Sequence, residues 1–584
     1  MIEGRRVRVP GVGERASGLT FRFEGRPVAA AAGESIAAAL TAAGEPAFRQ
    51  TRGGTDRGVF CGMGVCHECL VSADGDTVRA CMTPAAAGMT VERHRPRTAQ
   101  APAPGAGAQA PCAVDVAVVG AGPAGLSAAL AAARAGLSVA LVDERKQAGG
   151  QYFKQPADAF PLTPRDLDEQ FRRGRALVGD AMAAGVLHLS GAAVWSTTGG
   201  DDLLLDGPGG ARQLRYRRLV LATGAAERAA PFPGWTMPGV MTTGAAQTLL
   251  RAYGVVPGGR IVIAGSGPLN LQLAAALVDA GARSVVLAEA SRGLRPAVAG
   301  VLADMAVASP ALVAEGLRYR WTLARARVPV LHGTVVCEAV GDGTLKQVLL
   351  APLSPDGRPD RLRSSLVEAD VLCVGYGFLP AVELAAAIGC ELRYDARWKH
   401  LAVVRDADGR TSLPQVFAAG DGAGFGGARA AEAEGTLAGI AAALDCGAAE
   451  TPALVRARDG ARSALERARR FQAALWQLYD APVPTHHLAD PGTLVCRCEE
   501  VSLTDVEAAC DAGARSLGAV KRATRLGMGR CQGRYCAPVA ADLLAGRGGR
   551  PPQPDDFFAP RPPLGPVPLG AIAALDLGTG STDT

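Results

Sequence analysis

A mostly apolar run, Val114–Val119, leads into a glycine-rich turn, a helical stretch and a second apolar run, Ser138–Val142. The order returns from residue 260, where Ile261–Ile263 meets another glycine turn and Val285–Leu287 follows. Strand, glycine turn, helix and strand in succession predict a parallel sheet, and the repeat predicts two dinucleotide-fold units in tandem. Upstream, Leu19–Phe23 and Pro27–Ala30 read as short strands around a turn at Gly25, and Gly33-Glu34-Ser35 opens a helix over 35–43. A cysteine-rich loop, 61–69, completes a small mixed α/β unit in about the first 95 residues. Downstream, an Arg-rich helical stretch covers about 452–479 and a second cysteine-rich segment covers 496–536. The proline-rich tail after 548 is expected to lie extended on the surface.

The resulting division is a first cysteine unit over 1–97 and an Ala/Pro/Gly/Gln linker over 98–112. The first dinucleotide domain takes 113–255 and 369–450, with the second inserted over 256–368. A helical connector over 451–488, a second cysteine module over 489–545 and a tail over 546–584 follow. At 584 residues the chain needs several cores, and 48% hydrophobic with 20% charged residues suits a folded chain. The net charge of +5 is small, and no stretch concentrates Arg with interleaved aromatics, so no nucleic-acid partner is expected. The basic segment Arg93–Arg97 reads as solvated linker. No apolar run is long enough to cross a bilayer, and the charged start, Met1–Pro10, lacks a signal-peptide core. A cytoplasmic location is therefore expected, in which fourteen cysteines suggest metal or redox chemistry before disulfides.

Cys61, Cys66, Cys69 and Cys81 form C-x4-C-x2-C-x11-C. Three ligands in one tight loop and a fourth apart is the plant-type spacing for a 2Fe–2S cluster, with a zinc loop or a Cys66–Cys69 redox pair as alternatives. Gly62 and Gly64 allow a tight loop whose N–H groups turn toward the sulfurs. His67, between ligands, reads as solvent-facing. Cys496 and Cys498 with Cys531 and Cys536 form a second four-thiolate set, C-x-C-x32-C-x4-C, at which zinc stays open. Ser502 with Asp505 suggests a helix N-cap there, Cys510 reads as core, and His486 and His487 read as a linker pair.

The first glycine turn is Gly120-Ala121-Gly122-Pro123-Ala124-Gly125. Its glycines serve the tight turn, the approach of a pyrophosphate and helix–strand packing, and the helix N-terminus faces the phosphates. Asp143, eighteen positions past Gly125, ends the next strand, where an acid can accept from a ribose hydroxyl. Two more strands end in Ala222-Thr223-Gly224 and in Gly420-Asp421. In the second fold, Gly265-Ser266-Gly267-Pro268-Leu269-Asn270 replaces the third glycine by Asn270, and Glu289 ends the following strand. An acid there favours NAD over NADP, and a vestigial site or another, structural adenine nucleotide is the rival reading. Cys337, Cys373, Cys390 and Cys446 lack a C-x2-C or C-x4-C partner and read as inert thiols, against a disulfide reductase.

This order of motifs resembles the two-dinucleotide-domain flavoproteins. The resemblance implies FAD, a contact of Asp421 with its ribityl chain, and a place near the flavin for Gly149-Gly150-Gln151. The C-terminal cysteine segment resembles the bacterioferritin-associated-ferredoxin-like domain, a small helical 2Fe–2S module. Pro233-Gly234-Trp235, Pro238-Gly239-Val240, Thr243-Gly244-Ala245 and Gly265-Ser266-Gly267-Pro268 are similar to the large subunits of opine oxidases, hydrogen cyanide synthase and D-hydroxyproline dehydrogenase. The alpha chain of sarcosine oxidase is more distantly similar, and its folate-linked aminomethyl-transfer domain has no counterpart here.

The implied architecture is α/β, with tandem FAD- and NAD-type Rossmann-like domains, a fused N-terminal β-grasp ferredoxin-like domain and a C-terminal helical module. The implied function is electron transfer through FAD and two 2Fe–2S clusters, one at each end of the FAD-binding core. Electrons come from a partner resembling D-amino-acid oxidase, within a hetero-oligomer, and go to an acceptor. A self-contained NAD(P)H-dependent oxidoreductase is the alternative. A cluster-bearing sensor would need a DNA- or partner-reading module, which the sequence lacks. No catalytic residue is identified, because Asp143 and Asp421 are assigned to cofactor hydroxyls.

Overall fold

A computed structural model describes residues 5–7, 9, 18–95, 107–157, 160–163, 167–199, 201–293, 298–354, 357–482 and 486–575. Most of the expected linker, part of the basic segment Arg93–Arg97 and the end of the tail lie outside the described residues.

The N-terminal unit is a five-stranded sheet in the order Arg26–Ala30, Leu19–Phe23, Thr90–Arg93, Leu70–Ala73, Asp76–Arg79. Phe21 and Phe23 alternate with exposed residues and point inward against the helix Ile36–Ala42, whose Ala37, Ala38, Ala39 and Leu40 are buried. Ser35 caps that helix, its Oγ accepting from Ala38 N at 3.2 Å.

The first dinucleotide domain has a parallel core in the order Leu187–Ser190, Val139–Asp143, Cys112–Val119, Gly210–Leu221, Val416–Ala418. Helices Pro123–Arg134 and Gly427–Asp445 touch backbone to backbone beside it. A Cβ on Gly435 would lie 2.0 Å from Ala124 O, and one on Gly439 2.3 Å from Ala128 O, so only glycine permits that approach.

The second sheet is all parallel, in the order Val240–Thr242, Val371–Gly375, Arg260–Gly265, Ser284–Glu289, Val330–His332. It reaches beyond 256–368 at both ends. Val240–Thr242 and Val371–Gly375, expected from sequence in the first domain, pair here instead. Parallel pairing needs long crossovers, so an isolated apolar run does not announce its sheet. An antiparallel layer of Thr334–Asp342, Thr344–Pro352 and Ser365–Glu368 follows, and the pair Ala225–Glu227 and Phe378–Pro380 carries the chain between the domains.

Helix Pro452–Leu478, capped by Thr451, packs Ala461 and Leu465 on Gly427–Asp445 and Phe471 and Ala474 on Ala299–Ala308. The C-terminal module holds helices Leu503–Asp511, Leu517–Thr524 and Cys536–Gly548. Ser502 and Asp505 form a reciprocal capping box, and Cys510 is core, both as expected.

The described tail is largely irregular and near the surface, as expected, but it is anchored at several points. Its apolar residues give it places to bind: the Phe558 ring covers Gly527 and Gly533, Leu564 N donates to Trp195 O at 2.9 Å, and Ala571 is buried in helix Leu569–Ala574. Among the described residues no helix is long and apolar enough to cross a membrane.

Candidate active site: one cavity bordered by two cysteine sites

A cavity of about 800 Å³ runs past both glycine turns. Gly120 adopts φ +105°, and a Cβ there would lie 2.2 Å from Ala222 O; one on Gly125 would lie 1.7 Å from Gly120 O. Gly122 differs, since its nearest neighbour would be Gly150 Cα at 3.9 Å, toward the cavity. Two glycines thus serve packing and one leaves room for a pyrophosphate. The helix Pro123–Arg134 that starts there has no side-chain cap, which suits an anion. Pro123, Ala124, Gly150, Gln151, Thr223 and Gly224 line the same wall.

Asp143 accepts from Ala121 N at 2.6 Å and Arg145 N at 2.7 Å. Asp421 Oδ1 accepts from Gly426 N and Gly427 N at 3.0 and 2.9 Å, and both acids line the cavity. Burial pushes both carboxyls above their ordinary value. The donor set and the free space fit FAD.

At the second turn a Cβ on Gly265 would lie 2.0 Å from Gly375 O, whereas Gly267 faces open space. Asn270 Nδ2 donates to Gly375 O at 3.0 Å and its Oδ1 accepts from Thr243 at 2.8 Å. Hydrogen bonds therefore hold the helix to the strand where a third glycine would have let them touch. Glu289 is 4% exposed and accepts from Ser291 N at 2.9 Å and Gly267 N at 3.3 Å, and burial raises its carboxyl. Both expected nucleotide ligands are thus already tied into the turn.

Of the eight motif cysteines all but Cys498 are buried, and none is disulfide-bonded. Their thiols meet in pairs: Cys61 with Cys66, Cys69 with Cys81, Cys496 with Cys536, and Cys498 with Cys531 at 3.5 Å. Four thiolates in two pairs at each site suit a 2Fe–2S cluster or a zinc ion. Met63 N donates to Cys61 Sγ and Glu68 N to Cys66 Sγ, each at 3.4 Å. Burial raises the Cys61 thiol, but the Cys66 thiol and N–H groups of Met63, Cys66 and Val65 bring it down to about 6. At Cys496 the Cys536 thiol lowers it to about 6 against burial, helped by N–H groups of Gly527, Glu499 and Cys498.

The two sites are not at opposite ends of the flavin core. Phe60 meets Tyr535 edge to face, and the cavity wall takes Met63 and His67 from one cysteine loop and Cys531 and Arg534 from the other. His67 thus faces the cavity instead of solvent, and burial, aided by Arg79, Arg530 and Arg534, holds it neutral with its pKa lowered to about 3. Glu68 is buried against Arg49, Arg57 and Arg497; burial would raise its carboxyl, but the three arginines hold it below its ordinary value.

The cavity is also bordered by a buried acid, and a buried lysine stands near it; no motif pointed to either. Glu227 lines the cavity at 2% exposure, its Oε2 accepting from Gly244 N at 2.8 Å while Oε1 has no hydrogen-bond partner among the described residues. Burial lifts its carboxyl to about 7, against the Thr242 hydroxyl, Gly244 N and Lys154. Lys154, 3% exposed, donates to Thr248 Oγ1 at 2.5 Å and is pushed well down by burial. The only sequence signal for Glu227 is its place three residues past Gly224, and Lys154 has none.

Cys337, Cys373, Cys390 and Cys446 are buried free thiols, raised by burial, in keeping with inert cysteines. The expected linker pair His486 and His487 lies with Asp542 in a cluster whose ligand atoms fall within 4.8 Å of one another, but the Lys399 ammonium sits 3.2 Å from Asp542.

Family models match three segments: pyridine nucleotide-disulphide oxidoreductase over 114–435, a 2Fe-2S iron-sulfur cluster binding domain over 16–96, and the sarcosine oxidase A3 domain over 491–576. The A subunit of opine oxidase from Agrobacterium tumefaciens (strain Ach5) is 34% identical over 478 residues, covering 79% of this chain and 92% of that protein. HcnB, a subunit of hydrogen cyanide synthase from Pseudomonas aeruginosa, is 33% identical over 464 residues, covering 78% and 98%. The crystal structure of L-proline dehydrogenase from P. horikoshii matches with a TM-score of 0.70 at 21% identity, over 97% of this chain and 99% of that one.

Proposed function

Because the chain belongs to the family of HcnB and its opine oxidase counterpart, as an FAD-dependent oxidoreductase with an N-terminal 2Fe–2S domain, we propose that it is the electron-transfer subunit of a heteromeric dehydrogenase acting on amines or imino acids. The relatives' names are those of subunits. One observation carries the reading: loops of both cysteine sites form part of the wall of the cavity that the FAD motifs line.

In this reading the turn at Gly122 and the helix behind it hold the pyrophosphate, Asp143 accepts from a ribose hydroxyl, and Asp421 accepts from the ribityl chain. Gln151, Thr223 and Gly224 flank the flavin. Cys61, Cys66, Cys69 and Cys81 hold one 2Fe–2S cluster, and Cys496, Cys498, Cys531 and Cys536 hold a second. Bound FAD supplies a junction between two-electron and one-electron transfer. Met63 and Val65 exclude water between the first cysteine site and the cavity. Gly267 faces the place for NAD or another adenine nucleotide. A partner resembling D-amino-acid oxidase oxidises an opine, D-hydroxyproline or glycine-type substrate in the cytoplasm, and an acceptor takes the electrons.

The test is to offer such substrates with a dye acceptor to the loaded chain, alone and with the partner. Dye reduction only with the partner is expected. A second reading, a chain that oxidises its own substrate, is favoured by Glu227, a buried acid near neutrality on the cavity wall. Robust turnover by the isolated chain would replace the first reading by the second, and bleaching of its flavin by NADH alone would point instead to a self-contained NAD(P)H-dependent oxidoreductase.

A further inference from the structure

Glu68 stands between Cys66 and Cys69, and Arg497 stands between Cys496 and Cys498. Their side chains meet, Arg497 Nε lying 3.6 Å from Glu68 Oε1, at 4% and 1% exposure. The same carboxylate receives Arg49 at 3.1 Å and Arg57 at 3.6 Å, and Arg57, fully buried, reaches on to Glu500 at 3.3 Å. Glu500 lies two residues past Cys498 and Arg57 four residues before Cys61, so a second ion pair joins the segments that flank the two loops. The Arg497 guanidinium is fixed between rings, 3.9 Å over Phe60 and 4.6 Å over Trp235, and donates to Trp235 O at 2.8 Å.

An exposed ion pair would contribute little, and burying charges is costly unless partners satisfy them. Here a mostly buried group of three cations and two anions, in which Glu68 Oε1 and Arg497 Nε face each other as an ion pair without a hydrogen bond, sits where each cysteine loop contributes one member between its own ligands. A charge in such a place acts on both loops, because salt screens buried charges far less than exposed ones.

We propose that Glu68 and Arg497 are positioning residues shared by the two cysteine sites, a charge bridge through which the two clusters behave as one electrostatic unit. The proposal rests on the reading of two clusters. Reducing a cluster adds one electron and one negative charge to it, with no bond formed or broken. Both potentials therefore respond to either bridge charge.

The experiment uses the full chain purified anaerobically, with Glu68→Gln, Arg497→Met and Arg497→Lys, and dithionite with mediators as reductant. Iron and sulfide are assayed, and the cluster potentials are followed by electron paramagnetic resonance. Four irons and four sulfides per chain are expected. Both midpoint potentials should rise in Glu68→Gln, which removes a negative charge, and both should fall in Arg497→Met. Arg497→Lys should return them toward the parent values. A shift confined to one cluster, or the same sign in both charge variants, overturns the bridge while leaving the two-cluster reading intact. Zinc in place of half the iron overturns both. If Arg497→Met does not accumulate, the near-isosteric Glu68→Gln decides alone.

Discussion

Phe60 and Tyr535 stack edge to face with centroids 5.6 Å apart, although one immediately precedes Cys61 and the other immediately precedes Cys536. Trp235 meets Phe60 at 5.7 Å and donates from its indole to Leu494 O at 2.7 Å, so the dinucleotide core closes the junction from a third side. Replacing Phe60 by Ala leaves a cavity between the two sites. It should cost about 3–5 kcal/mol in that region. Iron should be lost faster from both sites on exposure to chelator; loss from the N-terminal site alone would show the sites to be independent.

Gly122 and Gly125 should behave differently although both belong to one motif. Gly122→Leu places its side chain in free space, so the protein should fold and keep its clusters but purify with little flavin. Gly125→Ala drives a Cβ into Gly120 O and should lower the melting temperature outright. The flavin-to-iron ratio and a melting curve separate the two. Full flavin occupancy in Gly122→Leu would remove the pyrophosphate from this turn.

Asn270→Ala should destabilise the second dinucleotide unit by about 1–3 kcal/mol, because the buried Thr243 hydroxyl loses its acceptor and Gly375 O keeps only the donor Ser266 N. Flavin content should be unchanged. Thermal melting with flavin absorbance checks both statements.

Glu227 should make stability fall with rising pH. Its carboxyl is lifted from 4.5 to about 7 by burial, so the folded state holds a proton that the unfolded chain releases. The stabilisation is complete below about pH 4.5 and is lost as pH rises to about 7, on the order of 3 kcal/mol. Lys154, lowered by burial, contributes a slope of opposite sign, so the comparison must be with Glu227→Gln. Relative to the parent, that variant should melt higher at pH 8 than at pH 5. Parallel melting curves across this range would show that the carboxyl is not raised.

What the sequence revealed was local. The glycine turns, the strands ending in Asp143 and Glu289, the caps at Ser35 and Ser502 and the cysteine spacings each lie within a few dozen residues, and pattern reports them directly. Contacts between distant segments left no such mark. Val371–Gly375 is an apolar run like its neighbours, and only pairing with Arg260–Gly265 assigns it to the second sheet. Glu68 and Arg497 read as ordinary residues between ligands until the fold buries them together. Phe558 and Leu564 sit among prolines that suggested an unpacked tail, and the surfaces they cover lie on other elements.

The junction at Phe60 has a consequence for the timing of synthesis. The first four thiols leave the ribosome some 400 residues before Tyr535 and Arg497, an interval of about 20–80 s at common elongation rates. During that time the first domain is complete and Glu68 already has Arg49 and Arg57 beside it, yet the flanks of Phe60 and Glu68 that Tyr535 and Arg497 will cover stand open. A cluster built early would therefore be open to solvent on the flank that the last-made module covers, while one built late would enter through a closing gap. The order of translation and the order of metal loading are bound together by this one contact.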